Sequence, residues 1–301
     1  MTRPAPPFLH TPYDGSSKPF TVGLRPIRED AWLEPDAFLS RHLGEKERLF
    51  AAGLNAVFRQ EPETGAAQEE VLALTTDNLA RFHTGTHRVS EAVVDLIESG
   101  RTVAFDDRPA LLTASRLVQE DLVLMRPGAE GYRLAAASLC FPSSWSLAEK
   151  FGRSMTAIHE TVPGFNGSRV GQMVARVFDN LAAGQFLERF NWSVYSDAAL
   201  HHPQAKRIDV SGDGNVLAKL FLRVERQTLR RLPGSGDILF TIKVHHDPLA
   251  ALKAHPDRGA LATNLRAQLL ALDDAQLAYK GLAAIRDRLA DELGLLVGEP
   301  L

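Results

Sequence analysis

The chain has 301 residues, 45% of them hydrophobic and 24% charged, with a formal net charge of −3. This length easily buries a core, in one large domain or two small ones, and the balance of charge argues against nucleic acid or an anionic membrane as the main partner. No run of about 18 apolar residues exists to cross a bilayer. The first 18 residues lack the apolar segment of a secretory signal, which leaves the cytoplasm as the default location. The single cysteine, Cys140, excludes an intramolecular disulfide and a four-thiolate iron–sulfur cluster. Its apolar neighbours make it a buried, inert thiol.

In chain order, residues 1–20 form a Pro-, Gly- and Ser-rich flexible N-terminal arm, ordered on contact or disordered. Residues 21–110 form a helical region, with helical spacing of apolar residues over 29–52 and 69–82 and a further helix over 90–100 that Gly100 stops. The period then changes. Residues 117–125 and 132–141 read as a hairpin around a Pro-Gly turn at 127–131. Helical pieces follow at 145–152, 155–159 and 171–181, then a strand at 186–195. A turn-rich segment, 211–215, precedes a long strand over 217–232, and a second Pro-Gly turn leads into a strand at 238–245. Residues 248–301 form a C-terminal helical region packed on the core, with helices at 248–255, 258–272 and 282–293.

Two strands, several short helices and three more strands predict an α+β fold. The expectation is a PAS-like, antiparallel five-stranded sheet over residues 111–247, with a helical crossover enclosing a cavity and helices flanking it at both ends. Other α+β folds share this order. A strand of some 15 residues would be about 50 Å long, beyond the ordinary range, which predicts a bulge near Gln227.

Neither G-x-G-x-x-G nor G-x-x-x-x-G-K-[ST] occurs, so the chain has no dinucleotide or P-loop fingerprint of its own. Segment 211–215 has two glycines but no following helix, and reads as a loop. His83 and His87 have i, i+4 spacing without the glutamate of a zinc helix. The pairs His201–His202 and His245–His246 diverge if extended. All three pairs read as loop or strand-end histidines.

His159 differs, because it ends a short apolar helix in the crossover and precedes Val162-Pro-Gly. There it could be a hydrogen-bonded core histidine or an axial ligand of haem iron. In the long strand, Arg223 and Glu225 share one face and Arg226 the other. These charges are either a solvated edge with weak ion pairs or a cavity wall in which arginine holds a carboxylate and Glu225 accepts a proton. Asn191 and Trp192 on the preceding strand offer hydrogen-bond donors to the same region.

From Gly23-Leu-Arg-Pro26 to Tyr279-Lys-Gly281 the sequence resembles the haem-dependent oxidative N-demethylase family. The matching words include Arg116-Leu-Val-Gln-Glu-Asp-Leu122, Leu139-Cys-Phe-Pro-Ser143 with Trp145, Leu147-Ala-Glu-Lys150, Ala157-Ile-His159 and Val162-Pro-Gly164. Further along they include Asn191-Trp192, Leu222-Arg-Val-Glu-Arg-Gln-Thr-Leu-Arg-Arg-Leu-Pro233 and Leu239-Phe-Thr-Ile242. Ser144 stands where the family usually has arginine, and Thr161 where it usually has proline.

The resemblance implies a PAS-like core with noncovalent haem b and O₂-dependent demethylation of a small secondary or tertiary methylamine such as dimethylamine, releasing formaldehyde. Electrons would come from NADPH through flavin and an iron–sulfur cluster on partner reductase subunits. On this basis His159 is the expected iron ligand, Glu225 and Arg223 the catalytic pair, and Arg226, Asn191, Trp192 and Trp145 the cofactor-binding residues. The rival readings are a haem- or gas-binding protein without turnover and an interaction protein whose cavity is filled by side chains.

Overall fold

Runs rich in Val, Leu, Phe and Thr make the long strands, as expected of residues that pack well on a pleated surface. The computed structural model describes residues 7–206, 208 and 215–298. The N-terminal region contains β1 (Arg25–Ile27), α1 (Leu39–Val57), β2 (Phe58–Gln60) and α2 (Gly65–Phe82). A small sheet follows, from β3 (His87–Val89), β4 (Val93–Leu96) and β5 (Arg101–Ala104), and then α3 (Ala110–Ser115). The hairpin β6 (Asp121–Gly128) and β7 (Gly131–Ser138) leads into a crossover of three short helices, α4 (Leu147–Lys150), α5 (Met155–Ile158) and α6 (Arg169–Asn180). Strands β8 (Phe186–Tyr195), β9 (Phe221–Arg231) and β10 (Ile238–Pro248) complete the sheet, and α7 (Arg258–Leu270), α8 (Asp274–Lys280) and α9 (Arg286–Gly298) end the fold.

The main sheet is antiparallel with order β1-β8-β9-β10-β6-β7-β2. The class is α+β, with seven strands in this sheet rather than the five expected. The two additions are three-residue edges from the N-terminal region, too short to carry a period-2 pattern in sequence. The expected helix at 90–100 is instead strand β4 and a turn. Val94 and Leu96 are fully buried while Val93 and Asp95 are only partly so, an alternation of two that β-branched residues favour. The long strand begins at Phe221, because Leu217–Lys219 is a 3₁₀ turn. It keeps unbroken register with β8 and β10, so the bulge near Gln227 does not form; the register shift lies between Leu124 and Met125. Of the glycine-bearing segment 211–215, residues 211–214 lie outside the described residues.

The two faces of the sheet bury different layers. One face packs Leu122, Leu124 and Leu239 against α1 to α3, and Trp192, Leu222 and Val224 against α7 to α9. The other packs Val123, Met125, Leu229 and Ile242 against the crossover helices. Within the arm, Phe8 and Tyr13 are buried in the cluster built by α7 to α9. Among the described residues no helix is long and apolar enough to cross a membrane.

Candidate functional site

The crossover is held in place by hydrogen bonds that its sequence specifies. Where the chain leaves β7, buried Asp121 accepts the backbone N–H groups of Cys140 and Phe141 at 2.8 and 2.7 Å. Buried Lys46, 3.8 Å from Asp121, donates to the carbonyls of Ser115, Val118 and Glu120. Ser146 and Glu149 form a reciprocal capping box that starts α4. Ser154 caps the single turn of α5, which delivers His159 at its C-terminal end. Gly164 takes φ +70° and turns the chain back. Phe165 then stacks on the His159 ring, with centroids 4.0 Å apart and planes 14° from parallel.

Between crossover and sheet lies a cavity of about 240 Å³. That is far more than a single water needs, so it is not a packing defect. Its walls are Val123, Met125, Leu134, Met155, Ile158, Val170, Val174, Phe178, Leu229, Phe240 and Ile242. Trp145 and His159 also line it, and its polar region presents Ser143, Lys150, Arg189, Asn191, Glu225, Gln227, Tyr279 and Lys280. An apolar slot with a few convergent polar groups is the usual form of a cofactor or substrate site.

His159 is prepared to act as a neutral ligand. Its Nδ1 donates to the Met155 carbonyl at 2.9 Å, which fixes the tautomer and leaves Nε2 with a free lone pair. Burial, aided by the charges of Lys150 and Arg189, lowers its pKa to about 4 despite the Met155 hydrogen bond. The ring is therefore uncharged near neutral pH.

Glu225 sits at the centre of a hydrogen-bond network. Its carboxylate accepts Ser143 Oγ, Gln227 Nε2 at 2.8 Å and Asn191 Nδ2 at 3.4 Å. Asn191 turns its Oδ1 to Lys280 Nζ at 3.4 Å, and Lys280 also donates to the Trp192 carbonyl at 2.5 Å. Burial lowers the Lys280 pKa to about 8, against the opposing pull of Glu225. Burial likewise lowers Lys150 and Arg189, and the Arg189 Nε is buried without a hydrogen-bond partner. Three cations and one carboxylate thus share a largely desolvated cavity. Such a site favours a ligand that carries negative charge.

The alternation of β8 and β9 sorts the residues singled out in the sequence. Glu225 and Asn191 line the cavity, as do Trp145 and His159. Arg223 is fully buried behind it, donating from Nε to Ser143 Oγ at 2.9 Å and from Nη2 to the carbonyls of Phe141, Pro142 and Leu200. It buttresses the serine that holds Glu225 and does not line the cavity. Trp192 and Arg226 project from the opposite face and are not at the cavity. Trp192 Nε1 donates to Gln268 at 2.8 Å, while Arg226 pairs with Glu188 at 2.8 Å and donates to the carbonyls of Trp32 and Ala31. Adjacent strand residues cannot both face one cavity, which is why Asn191 and Trp192 part company.

Sequence reasoning missed Lys150, Arg189 and Lys280, although Lys150 and Lys280 stand inside matching words and Arg189 lies two residues before Asn191. Ser144 has φ +68° and its hydroxyl meets Tyr195 Oη at 2.8 Å. His87 Nε2 bonds the Leu117 carbonyl, and His201 Nδ1 the Cys140 carbonyl. Cys140 is fully buried, and burial raises its thiol pKa.

A family model described as haem-dependent oxidative N-demethylase, alpha subunit-like, matches residues 23–290. That span contains the whole seven-stranded sheet, the crossover and every cavity residue except three near the N-terminal arm, Phe20, Thr21 and Val22. The chain belongs to the haem-dependent oxidative N-demethylase alpha subunit-like family.

Proposed function

We propose that the cavity binds haem b, whose iron His159 would ligate, and that the protein oxidatively demethylates a small secondary or tertiary methylamine. The observation that carries this reading is His159 itself: a neutral imidazole, held through Nδ1, with Nε2 unengaged in an apolar slot. The residues present fit the group. The apolar walls suit a macrocycle, and Lys150, Arg189 with its unpartnered Nε, and Lys280 suit propionate carboxylates. The central strand order β8-β9-β10-β6-β7 supports a PAS-like core.

Bound haem supplies O₂ binding and one-electron redox chemistry. The chain's own residues bind and orient the amine and move its proton. A methylamine is protonated near neutral pH, and its nitrogen lone pair is needed for oxidation. Glu225, braced by Ser143, Gln227 and Asn191, accepts that proton. Arg223 acts as a positioning residue through Ser143. The overall balance is one methylamine, O₂, two electrons and two protons in, and demethylated amine, formaldehyde and water out. NADPH gives hydride, so a reductase carrying flavin and an iron–sulfur cluster would deliver the electrons singly.

The test is formaldehyde release from dimethylamine and related amines, with a chemical reductant standing in for the reductase. Haem-replete protein should show a Soret band and turn over. Glu225→Gln should retain haem and lose activity by about 10²–10⁴-fold, the range for general acid–base catalysis. A colourless, folded protein rejects haem binding. Reducible haem with no turnover of any methylamine would establish the gas-binding reading instead.

A further inference from the structure

On the sheet face opposite the cavity, three side chains from distant parts of the sequence converge. His10 comes from the arm, Glu34 from the loop before α1, and His245 from β10. Their ligand atoms lie within 4.8 Å of one another. We propose that they form a divalent cation site, suited to Zn²⁺, that pins the N-terminal arm to the sheet.

His10 Nε2 lies 2.9 and 3.0 Å from the two Glu34 oxygens, and His245 Nε2 lies 3.2 Å from Glu34 Oε2. Ligands at about 2.0–2.1 Å around a tetrahedral ion stand about 3.3 Å apart, close to the two histidine–glutamate separations and inside the 4.8 Å that bounds all three ligand atoms. The His245 side chain is only 9% exposed, and its Nε2 is buried without a hydrogen bond. Although close to Glu34, the ring nitrogen is not aligned for donation to it.

The surrounding charges leave Glu34 available. Lys243 pairs with Asp36 at 2.9 Å, and Arg226, 4.0 Å from Glu34, pairs more closely with Glu188 at 2.8 Å, so each nearby cation has a nearer carboxylate than Glu34. Phe190 packs beside His10 at 4.8 Å, and the partly exposed sides of His10 and Glu34 leave a fourth position to water. Two histidines, one carboxylate and water form an accepted zinc ligand set. The sheet separates the ion from Glu225, so it takes no part in the amine chemistry.

Full-length protein stripped with a chelator should take up one Zn²⁺ per chain, measured by calorimetry and by metal content after dialysis, with or without haem. Its melting temperature should rise with Zn²⁺, and Co²⁺ should give the visible bands of a tetrahedral ion. His10→Asn and His245→Asn should each weaken Zn²⁺ binding at least tenfold, while His246→Asn, one residue along the strand, should not. His10→Asn should still fold, because Phe8 and Tyr13 anchor the arm independently. Absence of stoichiometric uptake and thermal shift, or equal affinity in wild type and both ligand variants, overturns the site.

Discussion

Gly171 controls the wall that supports His159, and replacing it with alanine should loosen that wall. A Cβ built on Gly171 lies 2.5 Å from the Phe165 carbonyl oxygen, roughly 0.9 Å short of the 3.4 Å at which ordinary contact begins. The obstacle is backbone, and that carbonyl already accepts the Ser168 hydroxyl at 2.7 Å. The clash therefore moves Phe165, whose ring stacks on His159. Overpacking of this kind costs about 1–3 kcal/mol, against about 0.8–1.0 kcal/mol that alanine gains over glycine in a helix interior. The net destabilisation is at most about 2 kcal/mol, and a His159 ring displaced at about 1 kcal/mol weakens haem about fivefold. Gly44, exposed within α1 and with open space at its Cβ, is the control. Gly44→Ala should stabilise by about 0.4–1 kcal/mol. Urea unfolding and haem titration measure both. If Gly171→Ala is as stable as wild type and binds haem equally well, the argument that Phe165 positions His159 is refuted.

His159→Ala should lower haem occupancy or change the spin state, read by the Soret band, while circular dichroism stays native. Lys46→Met should cost about 3–5 kcal/mol in urea unfolding, because it strands buried Asp121 without its cation. Lys280 has a folded pKa of about 8, below the 10.5 of a free lysine. Between those values the unfolded chain binds more protons, so its contribution to stability rises with pH through that window and is lost as pH falls toward 8. Lys280→Met should flatten the stability profile between about pH 8 and 10 relative to wild type, measured by urea unfolding. An unchanged slope would show that Lys280 is not desolvated.

How much the sequence determined follows from the range of each physical signal. Period-2 alternation and Pro-Gly turns are local, so the five long strands were legible, as was the placement of Glu225 and Arg226 on opposite faces of β9. The apolar spacing of 155–159 and the Val162-Pro-Gly turn are local too, which is why the segment carrying His159 could be singled out. Edge strands β1 and β2 have three residues each, and nothing local distinguishes them from loop. The segment 90–100 carries apolar residues at both spacings, and only pairing with β3 and β5 decided for a strand.

The tertiary structure alone decided which side chains share a cavity. Lys150, Arg189 and Lys280 come from the crossover, β8 and α8, and no spacing rule links them. It likewise set Arg223 behind Ser143 rather than in the cavity, and joined His245 to His10 and Glu34 rather than to His246. Those arrangements depend on sheet order and register, which bring together residues up to 235 positions apart. Local periodicity reports which face a residue takes; what lies across that face is fixed only when the strands pair.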